Sequence, residues 1–194
     1  MKKTTTIILL FLSMLVQAQV HSSQTSNSVW LAKEFSKEVA LFRSKSFLYR
    51  EVLGVETSIN SFEIIPLAAA TSGELTTLLY KSSTKNKEGI ILGFFGDYWT
   101  DSGTGYQGYA FKNLDKTEAF EFLQKISDAI ESHIKYMRED NDNNNIYFSY
   151  KDIDVLICSS SQSYTIRLFW SGFDSSWEKT AFERSKRRFE KKIK

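Results

Sequence analysis

The stretch GIILGFF, residues 89–95, decides the fold. Ile90, Ile91, Leu92, Phe94 and Phe95 are apolar at odd and even positions alike. Because successive side chains of a β-strand point to opposite faces, this pattern predicts a strand with cover on both sides. Such a strand lies in the centre of a sheet.

Further strands are predicted on both sides of this stretch. Apolar residues with a period of two mark residues 62–69, 75–82 and 106–112, and turn-forming residues separate them. Pro66, the only proline, has no N–H to donate, so the first of these strands is expected at a sheet edge or a bulge. Later in the chain, residues 146–150, 153–159 and 164–170 form three more strands with short connectors, which favours antiparallel pairing.

Three helices are predicted around these strands. The first carries apolar residues at helical spacing, Leu31, Phe35, Val39 and Phe42. Asp115 with Glu118 forms a capping box at the start of a long second helix that extends to Met137. Ser175 with Glu178 forms a second capping box that would open the C-terminal helix. Residues 47–53 fit either a helical extension or a short strand.

The predicted order is therefore α-β-β-β-β-α-β-β-β-α. Helices fall between runs of strands rather than after every strand, which favours an α+β fold with a mostly antiparallel sheet of about seven strands and three helices. Neither an internal repeat nor a long linker divides residues 28–194, so we expect a single domain.

The N-terminus has the pattern of a cleavable signal peptide. Lys2 and Lys3 precede ten mostly apolar residues, 7–16, and residues 16–18 suit cleavage. We therefore expect residues 1–18 to be removed, residues 19–27 to form a flexible polar segment, and the protein to be periplasmic or secreted. The alternative is an uncleaved anchor. No later segment is apolar enough to predict a transmembrane span.

Composition argues against several functional classes. Once Lys2 and Lys3 are removed, residues 19–194 carry a net charge of zero, which does not favour a nucleic-acid binder. Cys158 is the single cysteine, so it cannot form an intramolecular disulfide and is expected to pack as a small apolar residue. Motifs for zinc proteases, thiol redox enzymes and serine hydrolases are missing from the sequence, and His133 is expected to pack rather than act as a base. We predict no catalytic residue, no cofactor and no metal site.

Gly103, Gly105 and Gly108 have the G-x-G-x-x-G spacing of a dinucleotide-binding loop. That loop needs a helix directly after the glycines, so that its N-terminus faces the phosphates. Here the residues after Gly105 alternate like a strand, and the next helix is predicted only at Asp115. The glycines are therefore expected to form a turn and part of a strand.

Aromatic residues surround these glycines. Residues 97–104 are predicted to form an exposed loop that holds Tyr98 and Trp99, with Tyr106 and Tyr109 directly after it. Aromatic rings on a glycine-rich loop suit contact with a glycan, a peptide or a partner protein. The alternative is that the rings fold back over one end of the sheet.

Basic residues are concentrated in the predicted C-terminal helix. Arg184, Arg187, Arg188 and Lys191 belong to a segment, 177–194, with a net charge of +5, so residues 19–176 carry −5. Such a helix suits contact with an anionic surface. Alternatively, its aromatic residues dock on the acidic body and its basic side chains are merely solvated.

A weaker pattern follows the second helix. Asp140, Asp142 and Asn144 have the ligand spacing of a calcium loop, but Lys151 takes the twelfth position, where a bidentate Glu is expected. The alternative is a solvated turn.

From these features we expect an exported protein that acts by binding a glycan, a peptide or a partner protein in the envelope or outside the cell. Two alternatives stay open at this point. Asp97 and Asp101, near Trp99, could serve a carboxylate-dependent hydrolase. The protein could also be a structural or assembly component of the cell envelope.

Overall fold

The computed structural model describes residues 30–31, 37–54, 59–139, 143–160 and 163–193. Residues 1–18 and 19–27, the predicted signal peptide and flexible segment, lie outside the described residues. The elements in chain order are β1 Trp30–Leu31, α1 Lys37–Phe47, a π-helical turn Leu48–Val52, β2 Glu63–Ala69, β3 Leu75–Ser82, β4 Lys87–Trp99, β5 Gly105–Asp115, α2 Lys116–Ser132, α3 Ile134–Glu139, β6 Asn145–Tyr150, β7 Ile153–Ser160, β8 Ser163–Trp170, β9 Phe173–Glu178 and α4 Lys179–Lys192.

The strands form one antiparallel sheet in which β4 is the junction. The main order is β1-β5-β4-β9-β8-β7-β6, and β2 joins through β3 to β4. β5 pairs with β4 along one side, from Gly89 to Trp99. On the other side, β3 pairs with the first part of β4, and Phe173 of β9 pairs with Tyr98 near its end. The predicted α+β fold with an antiparallel sheet is confirmed, and β1 and β9 are additional strands.

Helices cover both faces of this sheet. We call the face under α2 and α4 the inner face, and the face under α1 and the π-helical turn the outer face. Ile90, Leu92 and Phe94 belong to the large core on the inner face, whereas Ile91 packs with Leu48 on the outer face. All of these side chains are buried, which confirms that residues 89–95 form a strand covered on both sides.

Pro66 lies in β2, which is an edge strand. β2 pairs only with β3 among the described strands, and its register shifts between Pro66 and Ala68. The prediction of an edge or bulge is confirmed, because a residue without an N–H fits both positions.

The second helix begins as predicted but ends early. The side chain of Asp115 accepts a hydrogen bond from the Glu118 backbone N–H, and Glu118 accepts one from the Asp115 backbone N–H, which completes the capping box. The helix stops at Ser132, and a separate short helix, α3, contains Met137. The predicted single helix up to Met137 is therefore wrong in its last turn.

The predicted start of the C-terminal helix is also wrong. Phe173, Ser175 and Trp177 alternate inward along β9, and β9 pairs with β8 through its whole length. Ser175 is buried in this strand, so α4 begins at Lys179 instead. The backbone hydrogen bonds between β8 and β9 stabilise a strand here more than the local capping box would stabilise a helix start.

The first helix differs from its prediction as well. Leu31 lies in β1, α1 is described from Lys37 to Phe47, and Phe35 of the predicted helix lies outside the described residues. Phe42, predicted on the apolar face, is 67% exposed. The ambiguous residues 47–53 are helical, because the π-helical turn continues α1 and buries Leu48 and Val52. None of the described helices has the length and apolar character needed to span a membrane.

Candidate functional site

The end of β4 meets the hairpin formed by β8 and β9. Trp99 donates its backbone N–H to the carbonyl of Gly172 at 3.0 Å. Ser171 and Gly172 have φ values of 51° and 85°, the left-handed conformation of a two-residue type I′ turn. The turn therefore holds the last residues of β4 against β9.

Trp99 is the exposed aromatic residue at this junction. It belongs to β4 rather than to a loop, so the predicted loop of residues 97–104 is shorter, and the turn covers only residues 100–104. The Trp99 side chain is 55% exposed. A Cβ on Gly105, its partner across the ladder, would lie 3.3 Å from the indole carbon Cζ3. The absence of a side chain at Gly105 therefore lets the ring lie close against β5.

A groove of about 470 Å³ opens beside Trp99, at the end of β4 and the β8–β9 turn. We call it the Trp99 groove. It combines four aromatic residues, the β8–β9 turn and three carboxylates. Its lining residues are Trp99, Asp152, Asp154, Phe169, Trp170, Ser171, Gly172, Phe173 and Asp174.

Asp152 is fixed on one wall of the groove. Its carboxylate accepts hydrogen bonds from Lys112 Nζ at 2.8 Å and from the Trp170 indole N–H at 3.0 Å. Burial acts to raise the pKa of Asp152, but these two donors outweigh it and hold the pKa below its ordinary value. Asp152 is therefore a charged, oriented acceptor near neutral pH.

Asp174 and Asp154 are oriented as well. Asp174 forms two parallel hydrogen bonds with the Arg167 guanidinium, at 2.9 and 2.5 Å. Asp154 accepts from the Tyr147 hydroxyl at 3.0 Å and from Ser149 Oγ at 2.6 Å. Arg167 and Lys112 neutralise two of the three carboxylates, so the groove presents fixed hydrogen-bond acceptors with little net charge.

The structure separates the four predicted contact residues. Tyr98 points to the inner face, where its ring lies 5.6 Å from that of Phe173. Tyr109 is 5% exposed and packs in the outer-face core, which does not favour its predicted role as a contact residue. Tyr106 is 47% exposed, but it pairs with Tyr98 and therefore shares the inner side of the ladder. Of the four, only Trp99 lines the groove.

The other groove residues were not predicted. Asp152, Asp154, Phe169 and Asp174 occupy ordinary positions in or beside the strands of a meander. Alternation predicts that residues such as Asp154 and Asp174 face away from the core, but it does not say which of them come near Trp99. Pairing of β9 with β4 is what brings them together.

The predicted hydrolase carboxylates are not part of the groove. Asp97 and Asp101 are both exposed, the first on β4 and the second in the following turn, and neither lines the groove. Their placement does not favour the hydrolase alternative, which stays a prediction.

The glycine spacing does not form a dinucleotide loop. Gly103 lies in the turn with a φ of 77° and donates its N–H to the Thr100 carbonyl. β5 begins at Gly105 and runs to Asp115, so no helix N-terminus faces these glycines. The prediction of a turn followed by a strand is confirmed.

Other candidate residues lie outside the groove. Asp140 and Asp142 of the calcium pattern are outside the described residues, and the Asn144 side chain donates to the Tyr136 carbonyl. His133 is exposed at the end of α2, within hydrogen-bonding distance of the Ala129 carbonyl. Cys158 is half-buried, and burial raises the pKa of its thiol. No group of three or more potential metal ligands converges within the described residues.

A larger cavity, of about 750 Å³, lies between the π-helical turn and the start of α2. Its charged lining residues are largely paired within the protein. Lys116 lies 2.5 Å from Glu88, and Lys87 donates to the Val52 carbonyl at 2.6 Å. Because these charged groups are paired within the protein and no described residue that lines the cavity has an exposed aromatic ring comparable to Trp99, we consider the Trp99 groove the better candidate.

Comparisons of the chain with protein-family models, with curated proteins and with solved structures found no match. A function for the Trp99 groove can therefore be proposed only from its own side chains.

Proposed function

We propose that the protein is an exported binding protein whose Trp99 groove holds a neutral, hydroxyl-rich ligand such as a segment of a glycan. The observation that carries this proposal is the exposed Trp99 ring held beside three oriented carboxylates. The N-terminal signal-peptide pattern supports export to the periplasm or the medium.

The aromatic lining supports a ligand with flat apolar faces. Trp99 and Phe169 both line the groove, and the Trp99 ring lies close against Gly105. A rigid aromatic ring gives a large contact area at a small cost in side-chain entropy. The C–H faces of sugar rings offer a surface of this kind.

The polar lining supports a neutral ligand with several hydroxyl groups. Asp152, Asp154 and Asp174 offer oxygen acceptors, and hydroxyl groups are donors that such acceptors can bind. Since Lys112 and Arg167 compensate two of these charges, neither a strongly cationic nor an anionic ligand is favoured. This balance favours a glycan over a basic peptide.

The proposal is tested by titrating the purified protein with soluble neutral oligosaccharides of different linkage, using isothermal calorimetry and tryptophan fluorescence. We expect at least one to bind, and Trp99→Ala to weaken it by about tenfold or more, because aromatic anchors dominate such contacts. Tyr136→Ala, which removes an exposed ring on α3, is the matched control and should bind as the original protein does.

Two results would contradict the proposal. One is the absence of binding by every oligosaccharide; the other is equal affinity of the Trp99→Ala and Tyr136→Ala variants. The same samples, incubated and analysed for shortened oligosaccharides, test the hydrolase alternative, and Asp97→Asn should abolish any cleavage that requires that carboxylate.

A further inference from the structure

The exposed surface of α4 carries a stripe of positive charge. Arg184, Arg187, Arg188 and Lys191 recur at spacings of three and four residues, so they share one side of the helix. Lys192 lies next to them, and all five side chains are exposed. We call these five residues the basic stripe.

The two exposed glutamates of α4 lie on its α2 side, next to one residue of the stripe. Glu183 and Glu190 line a groove between α4 and α2 together with Arg187 and with Lys186, which donates to Ser127 Oγ of α2 at 2.8 Å. On the stripe side, Arg188 donates to the Leu67 carbonyl of β2 at 2.5 Å. The glutamates therefore lie only on the α2 side of the helix, whereas four of the five stripe residues, Arg184, Arg188, Lys191 and Lys192, lie outside the groove that holds them.

The stripe also differs from other cations in its partners. Lys112, Lys116, Lys151 and Arg167 each pair with a carboxylate. Within α4, an ion pair joins Lys186 to Glu190. In the part of the chain that the structure describes, the five stripe residues form no ion pair with a carboxylate. Their charge is available to a partner.

We propose that the basic stripe docks the protein on the surface of an anionic lipid bilayer. The apolar side of α4, with Phe182 and Phe189, is buried in the inner-face core, so the helix cannot insert into a membrane. Attraction must then come from its charges, each of which strengthens adsorption to anionic headgroups by about fivefold. A chain whose residues 19–194 have no net charge adsorbs in this way only if its charges are segregated.

Docking through the basic stripe would also set the orientation of the Trp99 groove. α4 packs on the inner face, whereas Trp99 and Asp174 lie on the outer face. A protein docked through α4 therefore presents Trp99 and Asp174 on the face of the sheet that points away from α4. This consequence rests on the function proposed for the groove, whereas docking itself does not.

The test measures co-sedimentation of the purified protein with vesicles of phosphatidylcholine, with and without phosphatidylglycerol. We expect binding only to the phosphatidylglycerol vesicles and a decrease with added salt. The combined variant Arg184→Glu, Arg187→Glu and Lys191→Glu should lower the partition coefficient by about 100-fold or more. The matched control is Lys45→Glu, Lys135→Glu and Arg138→Glu, three exposed cations on other helices, and it should change binding by less than about threefold.

Three outcomes would overturn the proposal. These are no binding by the original protein, equal losses in the two triple variants, and binding to a soluble anionic polysaccharide without binding to vesicles. If the glutamate variant does not fold, Gln at the same three positions removes each positive charge without adding a negative one, and this variant must still weaken binding. Trp99→Ala should leave vesicle binding unchanged, so that failure of the groove proposal and failure of this one are distinguishable.

Discussion

Replacing Gly172 by Ala tests the contact that builds the Trp99 groove. Gly172 has a φ of 85°, and a Cβ there would lie 2.6 Å from the Trp99 carbonyl oxygen and 2.7 Å from Tyr98 Cε2. The left-handed conformation costs a residue with a Cβ about 1–2 kcal/mol, and the overlap with β4 adds about 1–3 kcal/mol. We therefore expect the free energy of unfolding to fall by about 2–5 kcal/mol.

Gly103→Ala is the control for backbone conformation alone. Gly103 has a φ of 77°, but a Cβ there would meet no atom within 4 Å. Its cost should be about 1–2 kcal/mol. In urea denaturation with an m-value of about 2 kcal/mol/M, the midpoint should fall by about 1–2.5 M for Gly172→Ala and by about 0.5–1 M for Gly103→Ala. Equal midpoints for the two variants would refute the close approach between the β8–β9 turn and β4.

Three further predictions concern the rest of the fold. Burial raises the pKa of the Tyr80 hydroxyl to about 12, although a hydrogen bond with Asn113 acts to lower it. The neutral hydroxyl therefore contributes its full stabilisation below pH about 10, and this stabilisation is lost as the pH rises toward about 12. Tyr80→Phe should make the urea midpoint depend less on pH in that range. Glu178→Ala should lower the free energy of unfolding by about 1 kcal/mol, because its carboxylate accepts backbone N–H bonds from the turn after β2. Phe189→Ala should cost about 3–5 kcal/mol in urea denaturation, because Phe189 is 0% exposed, whereas Phe42→Ala should cost less than about 0.5 kcal/mol.

The local sequence pattern correctly predicts an element when the residues of that element alone determine its structure. The alternation in residues 153–159 and 164–170 correctly predicted β7 and β8, and Asp115 with Glu118 correctly predicted the start of α2. Local pattern failed at Ser175, where a capping box competes with a strand. Pairing of Phe173–Glu178 with β8 supplies a full ladder of hydrogen bonds, and one local cap does not outweigh that ladder.

The candidate site was predicted only in part. Trp99 is predicted as a contact residue because aromatic rings beside glycines suit contact with a ligand, and it lies exposed in a groove. Tyr109 looked equivalent in the sequence, yet it is buried on the outer face with Phe111, under the helical cover that α1 and the π-helical turn provide. Exposure depends on which helix covers which part of a sheet, and residue spacing does not contain that information.

The sequence by itself determined the α+β class, the antiparallel pairing of neighbouring strands and the central place of residues 89–95. These properties follow from periodicity and short connections, which act over a few residues. Only the tertiary structure decided that the β8–β9 turn closes on the end of β4, about 70 residues earlier in the chain, and that Trp99, Asp154 and Asp174 therefore share one groove. Such a contact depends on how the whole sheet is assembled, because neither partner carries a local signal for the other.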